Sequence, residues 1–260
     1  MTAQIKSHSV DQTLVLTLSN PEYRNALGPE MYSAGVEALN AAESNVDIRS
    51  VIITGEGANF CAGGNLNRLL NNRSLPPEHQ AQSIDGLHNW LETIATFPKP
   101  VLAAVEGAAA GAGFSLALAC DFLVASVNSV FVMAYSNVAL SPDGGGSWQL
   151  ARSVPRALVN QWLMLGEKIS AQQLLEHGLL NQVTEPGQAL QAALALATRL
   201  NARAPNALAS IKELVNAAGS QNLFAQLEQE KQHFVKNLHH PNAGIGIQAF
   251  LDKQTPKYKT

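Results

Sequence analysis

Two small-residue segments constrain this chain more than any other feature: Phe60-Cys61-Ala62-Gly63-Gly64-Asn65-Leu66 and Gly107-Ala108-Ala109-Ala110-Gly111-Ala112-Gly113. Each follows a run that reads as a buried strand, Val51-Ile52-Ile53-Thr54 before the first and Val101-Leu102-Ala103-Ala104-Val105 before the second. Each precedes a helical pattern. Small residues let a ligand approach the main chain, and the first N–H groups of a helix have no intrahelical partner. Two such segments can grip one developing negative oxygen with backbone donors alone. Taken singly, either segment is equally a turn or a point of tight helix packing. Neither carries G-x-G-x-x-G or G-K-[ST] between strand and helix, so a nucleotide phosphate is not the ligand they point to.

Along the chain, the alternation at 13–18 reads as a strand that Asn20-Pro21-Glu22 breaks, and apolar residues at helical spacing follow over 28–42. The polar stretch 71–82, with Pro76-Pro77 inside it, reads as a mobile loop. A helix is expected over 83–97 and a buried one from near Gly111. Short strands are expected at 122–125 and 130–133, with helices dominating from 147 onward. The class is mixed α/β. A shift in composition near residue 190 divides the chain into a core, 1–190, and a helical C-terminal subdomain, 191–260.

With 260 residues, 46% of them hydrophobic, the chain can bury a sizeable core. A net charge of −3 offers no global field to attract nucleic acid or a membrane surface, so neither is expected as a partner. Only two cysteines, Cys61 and Cys120, argue against a disulfide framework and fit a reducing, cytoplasmic setting. The histidines, His239-His240 included, lack metal-ligand spacing, and no metal is expected. The residues after Met1 do not form the apolar stretch of a signal peptide. The apolar runs 101–113 and 114–125 are interrupted by Glu, Gly and Asp, so no membrane span is expected.

The two segments, in this order and spacing, resemble those of the crotonase (enoyl-CoA hydratase/isomerase) superfamily over nearly the whole chain. Asn20-Pro21 with Arg24-Asn25-Ala26-Leu27 is similar to its first CoA-contacting loop. Lys99-Pro100-Val101-Leu102-Ala103-Ala104-Val105-Glu106-Gly107, running on to Cys120-Asp121, is similar to its second oxyanion segment. The resemblance implies a spiral core of ββα units and a helical C-terminal region that covers the pocket and joins subunits into a homotrimer or a dimer of trimers. It implies an acyl-CoA substrate, with coenzyme A present only as part of that substrate and no permanently bound cofactor. The backbone N–H groups of Gly64 and Ala112 would form the oxyanion hole. Arg24, Ala26, Ala62, Asn65, Leu66, Gly111, Tyr135 and Lys253 would join Gly64 in contacting the substrate.

The hydratases of that superfamily activate water with two glutamates, and this chain has Ser115 and Tyr135 in their places. Neither side chain ionises near neutral pH, so two-glutamate hydration is not expected. The nearest carboxylate is Asp143 in Leu140-Ser141-Pro142-Asp143-Gly144, by itself a common turn sequence. At the matching position, isomerising branches of the superfamily carry an acid that transfers protons, which implies an isomerase or lyase working through Asp143. His88, Tyr135 and Asp143 also align with the His, Trp and Asp of the aromatic acyl-CoA dehalogenase branch. There the aspartate is the nucleophile and the histidine a base, which keeps a hydrolase or dehalogenase as an alternative. A non-catalytic acyl-CoA-binding homologue is the third. The acyl group would be read by the variable stretch 69–83 and parts of the C-terminal helices.

Overall fold

The computed structural model describes residues 3–259. Its strands are β1 (Gln4–Val10), β2 (Thr13–Ser19), β3 (Ser50–Gly55), β4 (Val101–Val105), β5 (Ala108–Ala110), β6 (Phe122–Ser126), β7 (Val130–Val132), β8 (Ile169–Ser170) and β9 (Gln182–Thr184). One sheet runs β1-β2-β3-β4-β6-β9, parallel except for the β1–β2 hairpin, and a smaller one runs β5-β7-β8. β4 is buried along its whole length and β3 up to Gly55. Continuous apolar runs of this kind belong to parallel strands covered on both faces.

The helices are α1 (Pro29–Ser44), α2 (Leu66–Asn72), α3 (Pro77–Thr96), α4 (Ala112–Leu118), α5 (Gly146–Ser153), α6 (Arg156–Leu165), α7 (Ala171–Glu176), α8 (Ala189–Asn201), α9 (Pro205–Ala218), α10 (Leu223–Leu238) and α11 (Pro241–Leu251). Successive strand residues point to opposite faces, and this pleat divides the core. Ile53 and Ala103 face the main cluster with Phe60, Trp90 and Phe114, whereas Ile52 and Leu102 face Ala189, Ala193 and Ala197 of α8. The boundary expected at 190/191 therefore falls inside a helix that forms a layer of the core. On the main side, α1 and α3 meet where a Cβ on Gly35 would sit 2.2 Å from the Trp90 ring, so only glycine admits that indole.

Two stretches differ from the sequence expectation. The polar segment 71–82 is mostly helical, because α2 ends at Asn72 and α3 opens at Pro77 with Glu78 in its first turn. Proline at the first helical position and an acid beside the N-terminal dipole favour that start. β1 has no apolar alternation because it is a largely exposed edge strand, and it pairs with β2 through the turn at Asp11. No helix among the described residues is long and apolar enough to cross a membrane.

Candidate active site

The loop between β2 and α1 is stapled by two buried asparagines. Asn20 donates through Nδ2 to Ala26 O at 3.0 Å, while Asn25 donates to Glu56 O at 2.9 Å and Asn59 O at 2.8 Å. Asn25 holds a left-handed backbone, φ 58°, a conformation asparagine tolerates better than most residues. The stapled loop then pairs with the first small-residue segment, Leu27 N donating to Gly63 O at 2.8 Å and Ala62 N to Arg24 O at 3.0 Å.

The same segment is bound on its other edge to the second one. Cys61 N donates to Ala108 O at 3.0 Å, and Ala110 N to Cys61 O at 2.9 Å. The approach is close enough to demand glycine twice. A Cβ on Gly63, φ +86°, would lie 2.6 Å from Ala110 O and 3.3 Å from Ala112 N, and one on Gly113 would lie 2.5 Å from Cys61 O. Gly111, φ +50°, turns the chain into α4, of which Ala112 is the first residue. Neither Gly64 N nor Ala112 N has a hydrogen-bond acceptor among the described residues.

Gly64 and Ala112 open into one cavity of about 540 Å³, which also takes in Ala62, Leu66, Gly111, His88, Tyr135 and Asp143. Asp143 is the one carboxylate among the described residues that line it. Tyr135 donates its hydroxyl to Asp143 Oδ1 at 2.6 Å. Burial, reinforced by the Asp143 charge, pushes the Tyr135 phenol well above its ordinary value, so it remains protonated and remains a donor. Ser115, fully buried, donates to the main-chain oxygen of Asp143 at 3.1 Å. The glycines after Asp143 lie against that serine. A Cβ on Gly144 would be 3.1 Å from Ser115 Cβ, and one on Gly146 would be 2.6 Å from Ser115 Oγ. The loop bearing Asp143 thus occupies the space into which a longer side chain at position 115 would extend.

A model of the enoyl-CoA hydratase/isomerase family matches residues 9–260. The chain belongs to that family. It is 35% identical over 255 residues to the 1,2-epoxyphenylacetyl-CoA isomerase of Escherichia coli K12, covering 98% of this chain and 97% of that one. It is also 35% identical over 248 residues to the 2,3-dehydroadipyl-CoA hydratase of the same organism, covering 95% of each. Among solved structures, an enoyl-CoA hydratase from Polaromonas sp. JS666 shares 69% identity, with a TM-score of 0.97 over 98% of this chain and 99% of that one. The fold is therefore the crotonase fold, and the protein is an enoyl-CoA hydratase/isomerase family enzyme acting on an acyl-CoA.

Several residues that the resemblance implicated do not line the cavity of this family member. Asn65 uses its side chain to cap α2, accepting from Arg68 N at 3.2 Å. Ala26 is buried in the stapled loop, Arg24 is exposed on it, and Lys253 is exposed just beyond α11. No part of α9, α10 or α11 lines the cavity within one chain. Conversely, sequence reasoning missed Tyr32 and Arg68, which do line it. Tyr32 sits on the apolar face of α1 and reads as core, and Arg68 reads as an ordinary helix-surface charge. Only the packing of α1 and α2 over the first segment brings them to the cavity. Cys61, a buried member of that segment, has its thiol pushed up to about 12 by burial, which leaves it an inert packing group.

Proposed function

We propose that this enzyme moves a proton along the acyl chain of an acyl-CoA thioester, with Asp143 as the acid/base and the N–H groups of Gly64 and Ala112 as the oxyanion hole. The observation that carries this reading is the shared cavity: Gly64 and Ala112, whose amides have no acceptor among the described residues, line the same space as Asp143. Asp143 takes a proton from carbon, and the electron pair moves onto the thioester oxygen as an enolate. The enolate oxygen is held by the two amides. Collapse of the enolate with return of the proton at another carbon moves a double bond or rearranges the chain without adding or losing atoms. Each oxyanion donor contributes on the order of 3 kcal/mol to the transition state. Coenzyme A enters only as part of the substrate.

The test is a mass-spectrometric screen of acyl-CoA thioesters in deuterated water with the wild type and Asp143→Asn. The wild type should incorporate deuterium into the acyl chain and shift a double bond at constant carbon skeleton. Asp143→Asn should lose both while binding the thioester with affinity within about threefold, because a group that acts in the transition state need not hold the ground state. Turnover retained in Asp143→Asn would rule the assignment out. A second reading rests on His88, which lines the same cavity as Asp143. In a hydrolase, Asp143 would attack the thioester carbonyl and expel the coenzyme A thiolate; in a dehalogenase it would attack the halogen-bearing carbon and expel halide. In either case water activated by His88 would hydrolyse the covalent intermediate and restore the carboxylate. The same screen reveals that chemistry as loss of the acyl group or of a substituent.

We also propose that the subunits assemble as a homotrimer or a dimer of trimers through the C-terminal helices. Those helices leave Phe224, Phe234 and Phe250 82%, 69% and 84% exposed in the single chain, and apolar surface of that extent calls for a partner.

A further inference from the structure

The cavity holds a cation that the proton-transfer chemistry does not use. Arg68, on α2, lines it half-buried, and its Nε and Nη1 atoms are withdrawn from water without a hydrogen-bond acceptor. No carboxylate among the described residues lies within ion-pair distance of it. Glu30 shares its neighbourhood, since a Cβ on Gly28 would lie 3.0 Å from Glu30 Oε2 and 3.8 Å from Arg68 Nη1, but Glu30 is exposed and does not pair with the guanidinium. A guanidinium taken partly out of water without a counter-ion is an unfavourable arrangement, and a bound anion relieves it.

Its position relative to the thioester site indicates which part of the substrate would carry that anion. α2 follows directly on the Gly64 segment, and Leu69 Cδ1 lies 3.5 Å from a Cβ position on Gly64. Leu66, Leu69, Ile84 and Leu87 give the cavity an apolar wall, and Tyr32, buried and lining the same space, lies close enough to Arg68 for the guanidinium to donate to its hydroxyl, which leaves Nε and Nη1 of Arg68 without an acceptor and the guanidinium without a counter-ion. Arg68 and these apolar side chains line the same cavity as Gly64, so an acyl chain bound there is within reach of both. We infer that Arg68 is a specificity determinant for acyl chains ending in a carboxylate. This inference rests on the acyl-CoA reading above and adds the substrate class to it.

The experiment measures dissociation constants by titration calorimetry for length-matched pairs of saturated thioesters: succinyl- and butyryl-CoA, glutaryl- and valeryl-CoA, adipoyl- and hexanoyl-CoA. Saturated chains separate binding from turnover. At least one dicarboxylyl ester should bind about tenfold or more tighter than its partner, the scale of a charge-assisted hydrogen-bonded pair in a partly dry site. Arg68→Gln should bring that pair together, and Arg68→Lys should restore part of the preference. Absence of any preference in the wild type would overturn the inference. So would equal weakening of both members of every pair in Arg68→Gln, which would assign the guanidinium to the coenzyme A moiety. If no thioester of either series binds the wild type, the acyl-CoA reading itself falls, and the inference with it.

Discussion

Asp143 depends on a single phenol for its orientation. Tyr135 commits its hydroxyl to Oδ1 at 2.6 Å and so fixes the carboxylate of a residue that lines the cavity. Removing that donor in Tyr135→Phe leaves the ring's packing in place and takes away a hydrogen bond to a charged group, worth about 1.5–3 kcal/mol. The expected outcome is a fall in kcat of roughly tenfold to a hundredfold, with thioester affinity much less affected. The pH dependence has a defined sign. The folded phenol is pushed above its value of about 10 in the unfolded chain, so in the fold it keeps its proton through that pH. An alkaline limb in the rate near pH ~10 that disappears in Tyr135→Phe would contradict the assignment. Its contribution to stability is fully present below the unfolded value and declines as pH rises past it.

At the scale of elements, the site exists because two strand ends meet at backbone distance. Gly63 and Gly57 both have positive φ, but a Cβ on Gly57 meets nothing within 4 Å whereas one on Gly63 meets Ala110 O at 2.6 Å. Gly57→Ala should therefore cost only the backbone strain of about 1 kcal/mol. Gly63→Ala should cost more in chemical denaturation and, by pushing the two segments apart, should also lower kcat. Equal effects of the two substitutions would show that the close approach is not what matters. Position 115 makes a related case. Since Gly144 and Gly146 pack on Ser115, Ser115→Glu should not create a hydratase. It should displace the Asp143 loop and destabilise the fold by about 1–3 kcal/mol, the range of overpacked cores. Efficient crotonyl-CoA hydration by the variant would refute this.

For the whole molecule, the exposed aromatic residues of α10 and α11 set the expectation. Light scattering at micromolar concentration should give a mass of three or six chains. Phe250→Asp, which places a charge where an apolar contact is proposed, should shift the distribution toward monomer and lower thermal stability together with it. A monomeric wild type would remove the trimer from consideration. The same assembly would account for a cavity that no C-terminal helix of its own chain covers.

Sequence alone identified the class of fold and the two small-residue segments that meet in it, because buried parallel strands are written as continuous apolar runs and close backbone approach is written as glycine and alanine. Asp143 stood out through the resemblance to the family's acid position, reinforced by the absence of any other carboxylate between Asp121 and Asp143; by its local sequence it reads equally as a turn. Periodicity could not find β1, whose residues face mainly water, nor the start of α3, which proline disguises as a loop. Nor could it see that Asn65 spends its side chain on a helix cap or that α8 belongs to the core rather than to an appended region. The tertiary structure alone decided what the side chains face: that Tyr135 holds Asp143, that Ser115 supports its loop, and that Arg68 and Tyr32 reach the cavity. The physical reason is that local patterns record which groups are buried, whereas hydrogen-bond partners and shared cavities arise from residues far apart in the chain.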